Sequence, residues 1–340
     1  MQNLNTYGDI SPRTAVKAAK RLLRVAQIRM VTQRFGQADD QDKNSSKIRK
    51  WRRYELLPPA VAPLAEGITP HGLKVSYSDY MATLQQYGAV INLTDVIEDT
   101  HEDPVLKTFT DHCVTQASQT IELVTFDILK SGSNVQYAGG VATRALVNVG
   151  PSRADLRVIS RTLNRNRAEK ITQVIAPSEK ISTSGVPAAY FGMCHTDLLP
   201  DMRTVTGWKN AVEYSNPNEP LPYEEGAVDE FRFIFTQECT PFTALGASGT
   251  TFLSSGTAPT TSAAADVYPI IIVGKDAYGV VRLQGMNAAK IYVKNPNEPT
   301  KDDPLAQRGT IGWKMWFAAA ILNELWMCRY EVACRATPQG

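Results

Sequence analysis

Apolar residues recur every three or four positions along one long stretch: Leu106, Phe109, Cys113, Ala117, Ile121, Val124 and Ile128. That spacing lays one stripe along an amphipathic helix. Asp103-Pro104 supplies a start and Ser131-Gly132 an end, so a helix is expected over 103–131. Its striped part, about 25 residues, would be roughly 37 Å long. A second helix is expected from Ser152, with Asp155 as capping partner and Leu156, Ile159 and Leu163 toward a core. A third runs from Ser11-Pro12 to about Gln33 with a thin stripe of Ala15, Ala19, Leu22, Ala26 and Met30. Such a face buries little, so it must lie on another surface. A fourth is expected from Trp313 to Arg329, where Trp313, Trp316 and Trp326 stand beside Phe317, Ile321 and Leu325 as a packed core face.

Elsewhere the period shortens to two. Ile48 to Tyr54 mixes β-branched and aromatic residues with cations on both faces and reads as an exposed strand. Residues 36–46 before it are polar. Pro58 to Gly72 is a long turn rich in proline and glycine, after which Leu73, Val75 and Tyr77 alternate, as do Tyr87, Ala89, Ile91 and Leu93. Two long strands around such a turn make a projecting hairpin. An isolated two-stranded ribbon is marginal in water and needs a surface to lie on. From 186 to 285 short strands and helices alternate, with strands at Phe231–Phe235 and Ile270–Gly274. Residues 246–265, nearly all Gly, Ser, Thr, Ala and Pro, are expected as a flexible surface insertion. Ile291–Lys294 is another strand, followed by polar turns over 295–304.

The chain has 340 residues, 43% apolar and 21% charged, enough for a core and too apolar for wholesale disorder. The polar start lacks the apolar run of a secretory signal, and the stretch from Met315 to Leu322 is far shorter than the roughly 20 residues of a membrane span. Cys113, Cys194, Cys239, Cys328 and Cys334 are odd in number and form no CxxC, which argues against disulfides or zinc and for a reducing compartment.

The net charge of +2 conceals an asymmetry. Residues 1–53 hold 13 cations against 4 acids, and the remainder 23 against 30, so a +9 arm precedes a −7 body. Such an arm attracts polyanions or acidic protein surfaces. Arg153, Arg157, Arg161 and Arg165 stack at i+4 along one ridge of the second helix. Like charges at that spacing oppose the helix unless an anion or neighbouring acids lie close.

Catalytic constellations do not emerge. His112-Cys113 and Cys194-His195 are adjacent pairs, and adjacent side chains diverge on helix or strand. His71 stands in the long turn. His101-Glu102-Asp103 sits where helix-capping acids belong. Gly274-Lys275-Asp276 lacks the upstream glycine and the following Ser/Thr of a phosphate loop. No catalytic residue, metal site or cofactor is expected. The parts describe a subunit built to hold its neighbours.

Their order resembles the major capsid proteins of tailed double-stranded-DNA phages, an α+β class with the Hong Kong 97-type coat-protein fold. Within it the chain is similar to the coat-protein family of the large podophage of enteric bacteria. The resembling stretches are Tyr7 to Ala15, Pro63 to Pro70, Leu84 to Gly88, Leu93 to Asp95, Thr100 to Leu106, Asp303 to Lys314 and Ala319 to Glu324. The 246–265 insertion departs from the family. The resemblance implies an N-terminal arm over 1–35, an extended hairpin loop over 36–95, and a peripheral domain over 96–185 with a spine helix at 103–131. An axial domain would take 186–290, and 291–340 would return to the peripheral domain.

It also implies hexamers and pentamers of an icosahedral head around packaged DNA, in a virion assembled in the bacterial host cytoplasm without a membrane. A portal, a decoration or cement protein and scaffolding would be partners; the scaffolding is separate, or a cleaved segment is already gone. Arg49, Lys50, Trp51, Arg52, Arg53 and Tyr54 would form the intersubunit hairpin, its cations pairing with a neighbour's acids. Arg13, Lys17, Lys20, Arg21 and Arg24 would face the interior and its DNA or a neighbour's acidic surface. Lys47, Lys50 and Lys74 match a cross-linking lysine in composition only, and no cross-link is expected. The competing reading is a nucleic-acid-binding module in which the basic helix grips phosphates and Trp51 and Tyr54 stack on bases.

Overall fold

A computed structural model describes residues 30–61, 63, 66–67, 72–94, 105–171, 188–214, 220–283, 289–294, 299, 304–305, 307 and 308–337. Strands β1 (Gln37–Gln41), β2 (Ile48–Tyr54), β3 (Tyr77–Thr83) and β4 (Gln85–Thr94) precede helix α1 (Val105–Lys130). β5 (Val135–Tyr137) and α2 (Arg153–Arg165) lead to β6 (Tyr190–His195), the short α3 (Leu199–Arg203), β7 (Trp208–Asn210), β8 (Glu224–Val228) and β9 (Phe231–Thr236). β10 (Ser248–Gly249), β11 (Ala263–Ala264), β12 (Val267–Val273), β13 (Tyr278–Leu283), β14 (Lys290–Lys294), β15 (Arg308–Ile321) and β16 (Met327–Ala333) follow.

A seven-stranded sheet runs in the order β5-β16-β12-β6-β9-β8-β7. Every residue of β12, β9 and β16 is buried, as expected of strands covered on both faces. α2 covers one face through Leu156, Ile159 and Leu163, which share a core with Tyr190, Ile270 and Tyr330. Its start follows the sequence: Ser152 Oγ accepts from the Asp155 amide at 3.2 Å. The other face, through Phe191, Met193, Ile234 and Ile271, joins the core of the second sheet.

That second sheet orders β1-β13-β15-β14, with β4 also on β15. Here the sequence expectation is corrected. Trp313 to Arg329 is no helix: β15 runs to Ile321, a short turn follows, and β16 begins at Met327. The segment is apolar at spacings of two as well as three and four, so its own pattern satisfied both periods. Ten rows of pairing with β4, plus β14 and β13 on the other side, decide for the strand. Ile311, Trp313, Met315 and Phe317 are buried in the core shared with α1, and Trp313 Nε1 donates to Gln116 Oε1 at 3.0 Å. On α1 the buried apolar positions are Cys113, Ala117, Phe126 and Leu129, so the buried face is rotated from the expected stripe. Ile121 and Val124 are half-buried.

Three other boundaries move. Residues 30–36 form turns and extended chain rather than a helix end, and residues 11–29 lie outside the described part. The polar stretch after Gly36 contains β1, an edge strand that pairs in parallel with β13 through backbone alone. β4, expected as the hairpin's returning strand, belongs to the body sheet. The two-stranded ribbon is β2 with β3, in seven antiparallel rows from Ile48↔Thr83 to Tyr54↔Tyr77.

Candidate assembly surfaces

The ribbon is held to the body at its base. Trp51 rests on β13 and β15 with Ala82, Leu84, Val281 and Ala318. Arg53 Nη1 donates to the Leu322 carbonyl at 3.4 Å. Beyond the base, Tyr54, Leu56, Leu57, Val61, Leu73 and Val75 are exposed, Leu56 to 80% and Val61 to 87%. So many exposed large apolar side chains on one ribbon mark an interaction site.

The ribbon cations find acids within the same chain. Arg49 pairs with Asp39 at 2.5 Å, Lys50 and Arg52 with Asp79 at 2.5 and 2.8 Å, and Arg53 with Glu55 at 3.6 Å. All three acids belong to this chain. Hydrogen bonds from Arg52 and then Lys50 hold the Asp79 carboxyl down to about 2. Arg52 also lies over the Tyr77 ring, 4.1 Å from its centre. Lys50 and Arg52 therefore brace β2 against β3 through Asp79, and Arg49 ties β2 to β1 through Asp39. Trp51, expected in the alternative reading to stack on bases, has its indole in the ribbon's seat, and its Nε1 is buried.

The arginine ridge splits in two. Arg153 and Arg157 pair with Asp229 at 2.5 and 3.2 Å, which lowers the Asp229 pKa. Arg161 and Arg165 are exposed at the outer end of the same ridge. Arg13, Lys17, Lys20, Arg21 and Arg24 lie outside the described residues.

Sequence reasoning missed the groups that tie the arm and the two sheets together. Glu122 is fully buried on α1, one position off the apolar stripe. Its Oε1 accepts from the Val31 and Thr32 amides and its Oε2 from Thr32 Oγ1, all at 2.8 Å. Burial raises its pKa against the pull of those three bonds. Tyr278 donates its hydroxyl proton to the Thr32 carbonyl, and Phe35 stacks on Phe191 at 4.5 Å. At the other end of α1, fully buried Glu331 accepts from Arg144 at 2.7 and 2.8 Å and from Arg329 at 2.7 Å. Lys130 Nζ donates to the Thr240 carbonyl at 2.9 Å, and Arg144 caps the Phe242 ring at 3.5 Å.

The 246–265 insertion is tied to the body at several points. Asp266 accepts from the Ala244, Ser255 and Gly256 amides at 2.8, 2.9 and 2.7 Å, and Phe252 and Leu253 pack on the core.

The histidine and cysteines do structural work. His195 Nδ1 accepts from the Asp197 amide at 3.1 Å, capping a short turn. All five cysteines are buried, and burial raises the thiol pKa of each. Among the described residues no cluster of three or more His, Cys, Asp or Glu could hold a metal ion.

A long helix on a sheet, a second sheet beside it and a projecting ribbon with an apolar end together make the Hong Kong 97-type shell fold. Solved phage heads agree. The capsid of Ralstonia phage GP4 superposes with TM-score 0.67 over the whole of both chains at 12% identity. The Cyanophage Pam1 capsid superposes with TM-score 0.65 over 96% of this chain and 99% of that one, also at 12% identity. Residues 78–330 match the model of the phage capsid protein family, and the chain belongs to that family. The major capsid protein of Pseudomonas phage KPP21 is 23% identical over 239 residues, spanning 64% of this chain and 57% of that protein.

Proposed function

We propose that this protein is the major head subunit of a tailed double-stranded-DNA phage, closing an icosahedral shell as hexamers and pentamers. The carrying observation is the ribbon end. Leu56, Val61 and Leu73 are exposed by 80, 87 and 61%, on an element with no core of its own. Burying such side chains is worth about 1.5–3 kcal/mol each, and a second copy is the surface that recurs at every position of a shell. In this reading the cations from Arg13 to Arg24 meet packaged DNA, by sequence-independent, salt-sensitive contacts, or a neighbour's acidic surface. A portal, a scaffolding protein and a decoration or cement protein complete the head, which assembles in the host cytoplasm.

The test is particle size. Light scattering and negative-stain microscopy of the purified protein should show large closed particles. Replacing residues 56–74 by a short Gly-Ser turn keeps Trp51 in its seat and should leave a folded subunit that forms none. Normal shells from that variant would refute the role of the ribbon end, and a persistently small wild-type species would refute the shell.

A further inference from the structure

A trough lies on the face of the β4-β15-β14 sheet that points away from α1. It has a volume of about 580 Å³ and is lined by Gly88, Val90, Tyr292, Gly312 and Lys314, among others. Gly88 keeps its floor low, because a Cβ there would sit 2.6 Å from the Trp313 carbonyl oxygen. Tyr292, Gly312 and Val90 form one row across the three strands, so an exposed tyrosine and an exposed valine flank a glycine.

The adjoining row is electrostatically incomplete. Lys290 and Lys314 are directly opposite each other in the β14–β15 register. Like charges directly opposite across strands destabilise a sheet. Both ammonium groups lean over the Tyr292 ring, at 5.2 and 5.5 Å from its centre. Neither makes an ion pair with a carboxylate among the described residues. An apolar trough with a doubly cationic rim fits an extended segment that carries carboxylates beside aliphatic side chains.

We propose that the trough receives residues 95–103 of a second copy of this chain. This deepens the shell reading and rests on it. The run carries Asp95, Glu98, Asp99, Glu102 and Asp103, no lysine or arginine, and the aliphatic pair Val96-Ile97. The other candidates within the chain fit less well. The ribbon from Ile48 to Thr83 holds five cations and three acids, and residues 1–53 are strongly basic, so Lys290 and Lys314 repel both. Glu224, Glu225, Asp229 and Glu230 already pair with Arg232, Arg203, Arg153 and Lys170. A copy's own run leaves β4 at Thr94, six residues and about 20 Å from Gly88, and must return to α1 on the opposite face. Ten residues span at most about 35 Å, so a detour to Gly88 would use more than half of that reach before the return to Val105.

Charge exchange in the full-length protein tests this. Lys290→Glu with Lys314→Glu should reduce the yield of particles about tenfold or more, and so should Glu98→Lys with Asp99→Lys and Glu102→Lys. Combining both sets should restore particles. Lys290→Gln with Lys314→Gln supplies a readout independent of folding failure. Relief of the cross-strand repulsion should raise the subunit's Tm while particle yield falls, whereas a purely structural role would move both together. In assembled particles, Val90→Cys with Ile97→Cys should give covalent dimers on mild oxidation. Wild-type yield from the Lys290/Lys314 reversal, or a combined variant as defective as its parents, overturns the proposal. The second result would mean that another acidic partner uses the trough. Wild-type protein that makes no particles overturns the shell reading itself, and this contact with it.

Discussion

Trp51 lies flat against Gly279: a Cβ built at 279 would come within 2.9 Å of the indole Cζ2 and 3.2 Å of Leu322 Cδ1. The ribbon's angle to the body is thus set by the absence of one side chain on β13. Gly279→Val should push the indole out of its seat and cost about 1–3 kcal/mol, as overpacking does. Thermal unfolding of the subunit would show a modest loss, and limited proteolysis would show earlier cutting in the ribbon while the body stays intact. Unchanged ribbon protection would refute the seat.

Glu122 clasps the segment at Val31 and Thr32. Glu122→Ala leaves buried donors without an acceptor, at about 1–3 kcal/mol for each. Glu122→Gln keeps an oxygen for the two amides and should be far milder. The pH dependence follows from the raised pKa. A carboxyl raised on folding contributes stability that is full below its unfolded value and is lost as pH rises through its folded value. Wild-type stability relative to the Gln variant should therefore fall as pH rises above the ordinary carboxylate range. Denaturant titrations at several pH values would read this, and parallel curves would exclude it.

Asp79 behaves in the opposite sense. Its pKa is lowered to about 2 by Arg52 and Lys50. Its contribution is present above the ordinary carboxylate range and is lost as pH falls toward 2. The ribbon should thus remain braced through mild acid and loosen only in strong acid. Asp79→Asn should bring that loosening to neutral pH, read as faster amide exchange across the Arg52↔Asp79 row. Equal exchange in the two proteins at neutral pH would show that the pairs do not brace the ribbon.

Glu331 carries two arginines while fully buried. Removing one partner of a buried pair strands the others, so Glu331→Ala should cost about 3–5 kcal/mol. Urea unfolding of the unassembled subunit would measure it. A loss below about 1 kcal/mol would mean that Arg144 and Arg329 are held by their carbonyl and aromatic contacts instead.

Local signals were legible wherever one short segment meets one surface. The Ser152 cap, the buried face of α2, the span of α1 and the strand Ile48 to Tyr54 could all be read from spacing and capping residues. The family could be recognised from the order of the parts together with the resembling stretches, and the fold and the family match agree with it. Charge was legible as composition but not as pairing. Arg52 and Asp79 are separated by 27 residues and meet only because β2 and β3 align.

The sequence alone determined that the first 53 residues are strongly basic, that Ile48 to Tyr54 is an exposed strand and that a long helix follows, because composition and short periods carry those facts. The tertiary structure decided that Trp313 to Ile321 is a strand, that the ribbon's cations meet acids of the same chain, and that Lys290 faces Lys314. Each depends on which distant strand supplies the backbone partner, and a hydrogen-bonded row is a property of two segments at once.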